Sequence, residues 1–245
     1  MPEAAPYRGP EAGESRLDCY RRWHALAGPY FEWQLSQFKP YLGARVADVG
    51  CGIGNFCGYL LDRELYLGVD VDANLTLEQR REFGGAANVE IVQGDITQQS
   101  CRDLLVSRQV DSILSVNVIE HIEDDVQALA NMIASLPTGG MLCLLVPAMS
   151  WLYGTLDTLD GHYRRYRKRT LRERLSRFPV EVVRLYYFNL VGALGWFIKG
   201  RVLKETQHSE ENYQAMNLLI PLVARVERIC PPPFGLSLIA IARKL

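Results

Sequence analysis

Apolar and polar positions along the chain fall into runs of two kinds. Residues 46–49, 65–72, 89–96, 110–117 and 139–147 are short stretches rich in Val, Ile and Leu, and they predict five buried strands. Between the fourth and fifth, Ile122, Val126, Leu129, Ile133 and Leu136 recur at spacings of three and four, which predicts a helix. Glu123, Asp124 and Asp125 stand at its start, where the helix dipole favours acids. Strands alternating with helices predict an α/β domain with a mostly parallel sheet covered on both faces. Two further runs, residues 180–188 and 236–242, predict the strands that close it. Between them, residues 189–233 read as a helical insertion. Its first apolar stretch is broken by Asn189, Gly192 and Gly195, ends at Lys199 and is too short for a membrane span, and Pro231-Pro232-Pro233 stiffens the return. Residues 17–41 read as helical and aromatic-rich. Residues 1–14, rich in Pro, Gly, Ala and Glu, read as a disordered arm with no signal-peptide core, leaving a single domain over 15–245.

In such a sheet, ligands collect at the carboxyl ends of the strands. The first strand runs straight into Gly50-Cys51-Gly52-Ile53-Gly54 and then into residues 56–61, which are helix-compatible. Alternate glycines let backbone N–H groups approach a ligand with no Cβ in the way, and a helix N-terminus there adds free donors. A dinucleotide turn wants glycine where Asn55 stands. Asp48, beside the turn, suits a ligand with a cationic group and suits a pyrophosphate badly. Asp70 follows Gly50 by 20 residues, the offset at which an acid reaches ribose hydroxyls. Asp95 and Asn117 stand at or just past the third and fourth strand ends. An acid in such a place also has a plainer use, capping the next helix.

Taken together, VADVGCGIGNF, YLGVDVD, VQGDI, SILSVNVIEHIEDD and LPTGGMLCLLVP resemble, in order and spacing, the class I S-adenosylmethionine-dependent methyltransferase family over roughly residues 41–245. WLYGTLDTLDGHYRRYRKRTL, YYFNLVGALGWFIKGRVL and PPPFGLSLIAIARKL are similar to a bacterial small-molecule subgroup. The resemblance implies a Rossmann-like, seven-stranded, mostly parallel sheet with its last strand antiparallel beside the fifth and helices on both faces, and the helical insertion over 189–233 reads as a cap over the site or as a dimer face. It also implies S-adenosyl-L-methionine as cofactor and S-adenosyl-L-homocysteine as product. Gly50, Gly52 and Gly54 would approach the amino-acid tail, with Asp48 attracting its ammonium. Asp70, beside Val71, would accept the ribose hydroxyls. Asp95 would accept from the adenine amino group, the Ile96 backbone would donate to the ring, and Asn117 would meet the methionine portion. N-terminal helices fold over the cofactor or the substrate entrance in this family, which makes Tyr20 and Trp23, three residues apart, the candidate lid contacts.

The connection after the fifth strand would lie above the transferred methyl group. It holds Tyr153, His162, Tyr163, Arg164, Arg165 and Tyr166. Transfer to an alcohol needs a base, so His162 is the first candidate and His121 the rival, with a plainer use for His121 as a backbone partner. Arg164 and Arg165 would clamp an anionic acceptor, or else pair with Asp157, Asp160 or Glu173. Tyr153, Tyr163 and Tyr166 would wall a ring or simply pack. The expected reaction is O-methylation of a sugar or secondary metabolite, with carbon or nitrogen acceptors, an anionic or lipid-linked acceptor, and a non-catalytic cofactor-binding subunit as alternatives.

Composition narrows the field. Net charge is −1, which gives no electrostatic case for nucleic acid. Six cysteines without CxxC spacing read as a reduced, cytoplasmic set. His24, His121, His162 and His208 have no companion ligands at metal spacing, so no metal is expected. The expected partner is a small-molecule acceptor, the expected state a monomer or homodimer, and a peripheral membrane contact is the alternative use of the insertion.

Overall fold

A computed structural model describes residues 16–204 and 210–245, with side chains over 17–204 and 217–245. The proposed N-terminal arm, residues 1–14, and His208 lie outside the described residues. The strands are β1 (Arg45–Val49), β2 (Leu65–Asp70), β3 (Val89–Gln93), β4 (Ser112–Val116), β5 (Met141–Pro147), β6 (Val180–Phe188) and β7 (Ser237–Lys244). They form one sheet in the order β3-β2-β1-β4-β5-β7-β6. β1 to β5 run parallel, and β7 is antiparallel to both β5 and β6, as expected of the last strand. Nearly every residue of β1, β2, β4 and β5 is buried, because strands covered on both faces have no solvated side. Period-two alternation divides them between two cores. Ala47, Leu67, Val69 and Ile113 face α4 (Gln99–Ser107), α5 (Asp125–Ser135) and α7 (Lys168–Leu175). Val46, Tyr66, Leu114 and Cys143 face α2 (Gly28–Ser36) and α9 (Glu210–Ile229).

The N-terminal segment forms α1 (Arg16–Leu26), α2 and a one-turn 3-10 helix, Lys39–Tyr41. Most of its aromatics are core: Tyr30, Phe31, Trp33 and Phe38 are buried, with Phe31 edge-on to Phe56 at 5.9 Å and Trp33 on Phe188 at 4.1 Å. The helix expected at residues 56–61 is absent. A single 3-10 turn, Cys57–Tyr59, takes its place before β2 begins. The segment is too short to recover the cost of helix nucleation and carries Gly58 at its centre. The rings of α2 cover that part of the sheet face instead. The second expected strand stops at Asp70, because Asp72 accepts from the Asn74 N–H at 2.9 Å and caps α3 (Ala73–Phe83). The next helix likewise starts late: Ile119–His121 is a 3-10 turn, and Asp124 caps α5 through the Gln127 N–H.

The insertion contains α8 (Leu190–Trp196), a π-helical stretch Phe197–Leu203, and α9. Asn189 opens α8 in a left-handed conformation, its Oδ1 accepting from the Gly192 N–H. Glu227 of α9 accepts from the Asn189 and Leu190 N–H groups, which ties the two helices. Among the described residues no helix is long and apolar enough to cross a membrane. α6 (Thr155–Asp160) lies on the connection from β5 to β6.

Candidate functional site

Strand order reverses between β1 and β4, the point at whose carboxyl ends such sheets receive their ligands. The glycine loop lies there. Gly50, Gly52 and Gly54 have φ of +79°, +56° and +96°, and a Cβ on Gly50 would come within 2.2 Å of Val118 Cγ2, one on Gly54 within 2.8 Å of Gln79 Cγ. No other residue type fits those two positions without moving a neighbour. The Gly52 N–H donates to Asp70 Oδ2 at 2.9 Å, and the Asp72 N–H donates to Asp70 Oδ1 at 2.9 Å. Asp70 is thus fixed between the loops that follow β1 and β2, beside Val71, which is 59% exposed. The ring of Tyr20 on α1 lies over Gly52, 3.3 Å from where a Cβ would stand. α1 is moored there by Arg21 to Glu78 at 2.7 Å and by a 2.8 Å contact of His24 Nδ1 with Asn55 Oδ1. Trp23, three residues on, packs against Phe31 at 5.3 Å rather than over the loop.

Asp48 departs from expectation. Its carboxylate is enclosed, 1% exposed, and accepts from the Tyr66 hydroxyl at 2.8 Å. Gln79 donates to that hydroxyl at 3.1 Å and accepts from Cys51 Sγ at 3.0 Å. Burial pushes the Asp48 carboxyl up to about 7 despite the Tyr66 hydrogen bond, with the charge of Asp70 adding to the rise. It is an interior acid beneath the loop, not a carboxylate presented on the loop's surface. Asp95 closes an Asx turn, Oδ1 accepting from the Thr97 N–H at 2.8 Å and the Thr97 hydroxyl at 2.7 Å. Ile96 is buried, and its carbonyl accepts from Asn131 Nδ2 at 2.7 Å. Asn131, an anchor the sequence did not mark, thereby holds the β3 loop to α5. Asn117 is left-handed at φ +54°, and its N–H donates to the Leu145 carbonyl at 2.8 Å.

A second constellation continues from the same β4 loop. His162, after α6, lies against the loop residues Glu120 and His121; its ring is 4.8 Å from that of His121 and edge-on to it. His162 Nδ1 meets Asp157 Oδ1 at 2.8 Å. Asp157 is fully buried and also accepts from Arg165 Nε at 2.6 Å, the Gly154 N–H at 3.0 Å and Trp196 Nε1 at 3.2 Å. Burial works against charge on Asp157, yet His162 and Arg165 more than offset it and hold the carboxyl below its usual value. Burial likewise pulls His162 down, but the Asp157 hydrogen bond and the field of Glu120 bring it above the usual imidazole value. Glu120 was not singled out from sequence. It is 0% exposed, both carboxylate oxygens lack a hydrogen-bond partner, and burial pushes it up to about 7. The expectation that the histidines have no companion ligands fails, since Glu120, His121 and His162 place ligand atoms within 4.8 Å of one another.

The arginine clamp is not formed. Arg165 is spent on Asp157 and on the Ala148 carbonyl at 3.0 Å, with its guanidinium over the Trp196 ring. Arg164 pairs with Asp125 at 3.1 Å and donates to the Glu123 carbonyl at 2.8 Å. The alternative of structural pairing holds for Arg165, through Asp157, while Arg164 pairs with Asp125, which was not among the expected partners. Tyr163 is exposed, Tyr153 donates to the His162 carbonyl at 2.7 Å, and Tyr166 is packed in the core with its hydroxyl on Asp125.

Residues 47–142 match a family described as a methyltransferase domain. The chain superposes on an S-adenosylmethionine-dependent methyltransferase from Archaeoglobus fulgidus with a TM-score of 0.64 at 18% identity, covering 94% of this chain and 100% of that one. It superposes on another from Mesorhizobium loti with a TM-score of 0.59 at 16% identity, covering 86% and 98%. The (4+2)-cyclase SpnF gives 0.58 at 17% identity, covering 89% and 81%. At such identities the likeness is one of fold. No curated protein matches the sequence. The chain thus carries a methyltransferase-domain match over residues 47–142 and has, by its strand order, the fold of the S-adenosylmethionine-dependent methyltransferases on which it superposes.

Proposed function

We propose that the protein transfers a methyl group from S-adenosylmethionine to the oxygen of a small molecule. The observation that carries this reading is Asp70, held by two backbone N–H groups at the open edge of a glycine cradle that has no room for side chains. The residues present fit the cofactor. Gly50, Gly52 and Gly54 admit its amino-acid tail, Asp70 offers acceptors to the ribose beside Val71, Asp95 and Ile96 flank the adenine, and Asn117 lies by the methionine chain. When bound, the cofactor supplies an electrophilic methyl on an excellent sulfonium leaving group. The protein's part is then alignment, exclusion of water and removal of the acceptor's proton. Asp157 orients His162, whose other ring nitrogen is left for the acceptor, with His121 alongside. Tyr20, Tyr153 and the exposed Tyr163 line the approach.

Calorimetry with S-adenosylhomocysteine tests the reading. Binding should be retained in preference to NAD, and Asp70→Ala should weaken it by roughly 10- to 100-fold, the loss of a charged acceptor for two hydroxyls. Unchanged affinity in Asp70→Ala, or preference for NAD, overturns it.

One observation favours a lipid-linked acceptor as a second reading. α9 exposes Leu218, Leu222, Val226 and Ile229 along one stripe, with Arg225 and Arg228 beside it, and the π-helical stretch exposes Ile198, Val202 and Leu203. Flotation with anionic but not zwitterionic vesicles would support this reading, and absence from both would remove it.

A further inference from the structure

The cluster after β4 has more ligand chemistry than a general base requires. We propose that Glu120, His121 and His162 bind one divalent transition-metal ion of the zinc class, with a position left open to the acceptor. Their ligand atoms lie within 4.8 Å of one another, so some point is no more than about 2.8 Å from all three, and each donor need move by less than about 1 Å to reach a normal bond length. Two independent features point the same way. The Glu120 carboxyl is wholly enclosed and neither of its oxygens is hydrogen-bonded. His162 meets Asp157 through Nδ1, and Asp157 is itself locked by Arg165, Trp196 and the Gly154 N–H. That is the carboxylate support that orients a ligating imidazole and leaves Nε2 for the ion. Two imidazoles and one carboxylate suit zinc and its first-row neighbours; magnesium and calcium prefer all-oxygen sets.

His121 is exposed, so the fourth position opens outward. With the ion in place His162 would be a ligand and not the base; an acceptor hydroxyl entering there would ligate through oxygen, which lowers its pKa and lets its proton pass to solvent instead. That role rests on the methyl-transfer reading, whereas binding of the ion does not.

The test is calorimetric titration of the chelator-stripped full chain with zinc chloride, followed by absorption spectra with cobalt(II). The expected result is one ion per chain, with affinity falling at least 100-fold in Glu120→Gln and in His121→Ala, and about 10- to 100-fold in Asp157→Asn. The cobalt complex should lack a thiolate charge-transfer band, which separates this site from the six cysteines. Homocysteine-product binding, measured in parallel, reports on folding and on the cofactor reading separately. No zinc binding up to about 1 mM in a chain that still binds the product overturns the metal site alone. Zinc bound equally by wild type and Glu120→Gln, or a thiolate band with cobalt, overturns it as well.

Discussion

Asp48→Asn should make the protein more stable, and increasingly so as pH rises. The wild-type carboxyl is raised to about 7 in the folded state, chiefly by burial, against an unfolded value of about 3.9. The folded state therefore holds the proton more tightly. The stabilising contribution is complete below the unfolded value and is lost as pH climbs through the folded one. Relative to the fully protonated state, the cost is about 1.5 kcal/mol at pH 5 and about 4 kcal/mol at pH 8. Asparagine keeps a polar group for the Tyr66 hydroxyl, 2.8 Å away in wild type, and carries no charge at either pH. The gap between variant and wild type should thus widen by about 2.5 kcal/mol from pH 5 to pH 8, or some 5–10 °C in melting temperature for a chain of this size. Paired urea melts at the two pH values measure it, and the difference between proteins cancels titrations they share. Parallel stability curves would show that the carboxylate is charged and satisfied beneath the loop, and the account of Asp48 as an interior acid would fail.

His162→Ala should lower methyl transfer by roughly 10²- to 10⁴-fold while leaving S-adenosylhomocysteine affinity within about twofold, as steady-state kinetics and calorimetry will show; equal losses in both would move His162 out of the acceptor site. Phe31→Ala should cost about 3–5 kcal/mol in chemical denaturation, because the ring is buried between Trp23 and Phe56 on the face that lacks a helix after the glycine loop. Gly54→Ala should reduce cofactor affinity in calorimetry, because φ is +96° and the new methyl group would press on Gln79, whose amide joins Tyr66 and Cys51.

The parallel strands were legible because a strand buried on both faces leaves a continuous aliphatic run in sequence, and β1, β2, β4 and β5 all do. The glycine loop and Asp70 were legible for a related reason: strand, turn and acid follow one another in a fixed local spacing. What failed was what depends on distant partners. Residues 56–61 are helix-compatible in composition, yet whether they form a helix is decided by what else covers Phe56, and that is Phe31 of α2. Arg164 and Arg165 looked available because their counter-ions, Asp125 and Asp157, are set opposite them only by folding. Glu120 stands close to Glu123, Asp124 and Asp125, and nothing in the local sequence sets it apart from them. Its burial comes from the segment after α6, where the Tyr163 N–H donates to the Glu120 carbonyl at 2.8 Å. Linear ligand spacing therefore could not reveal the histidine cluster.

That same β4 loop explains why cofactor and acceptor chemistry share one end of the sheet. Asn117 is pinned to β5 through Leu145, Val118 fills the space that a side chain on Gly50 would need, and Ile119 is buried in the core. Glu120 and His121 follow immediately and face His162. Five consecutive residues thus touch the glycine cradle at one end and the acceptor cluster at the other. A side chain at Gly50 has no free volume to enter, because Val118 already fills it. Val118 is followed by the buried Ile119 and then by Glu120 and His121, so the segment is held by packing along its length. The strand-order reversal is therefore more than a place where two loops part. It puts Asn117, beside the glycine loop, and Glu120 and His121, beside His162, on one short, tightly packed segment, so the register between them is set by covalent geometry and core packing.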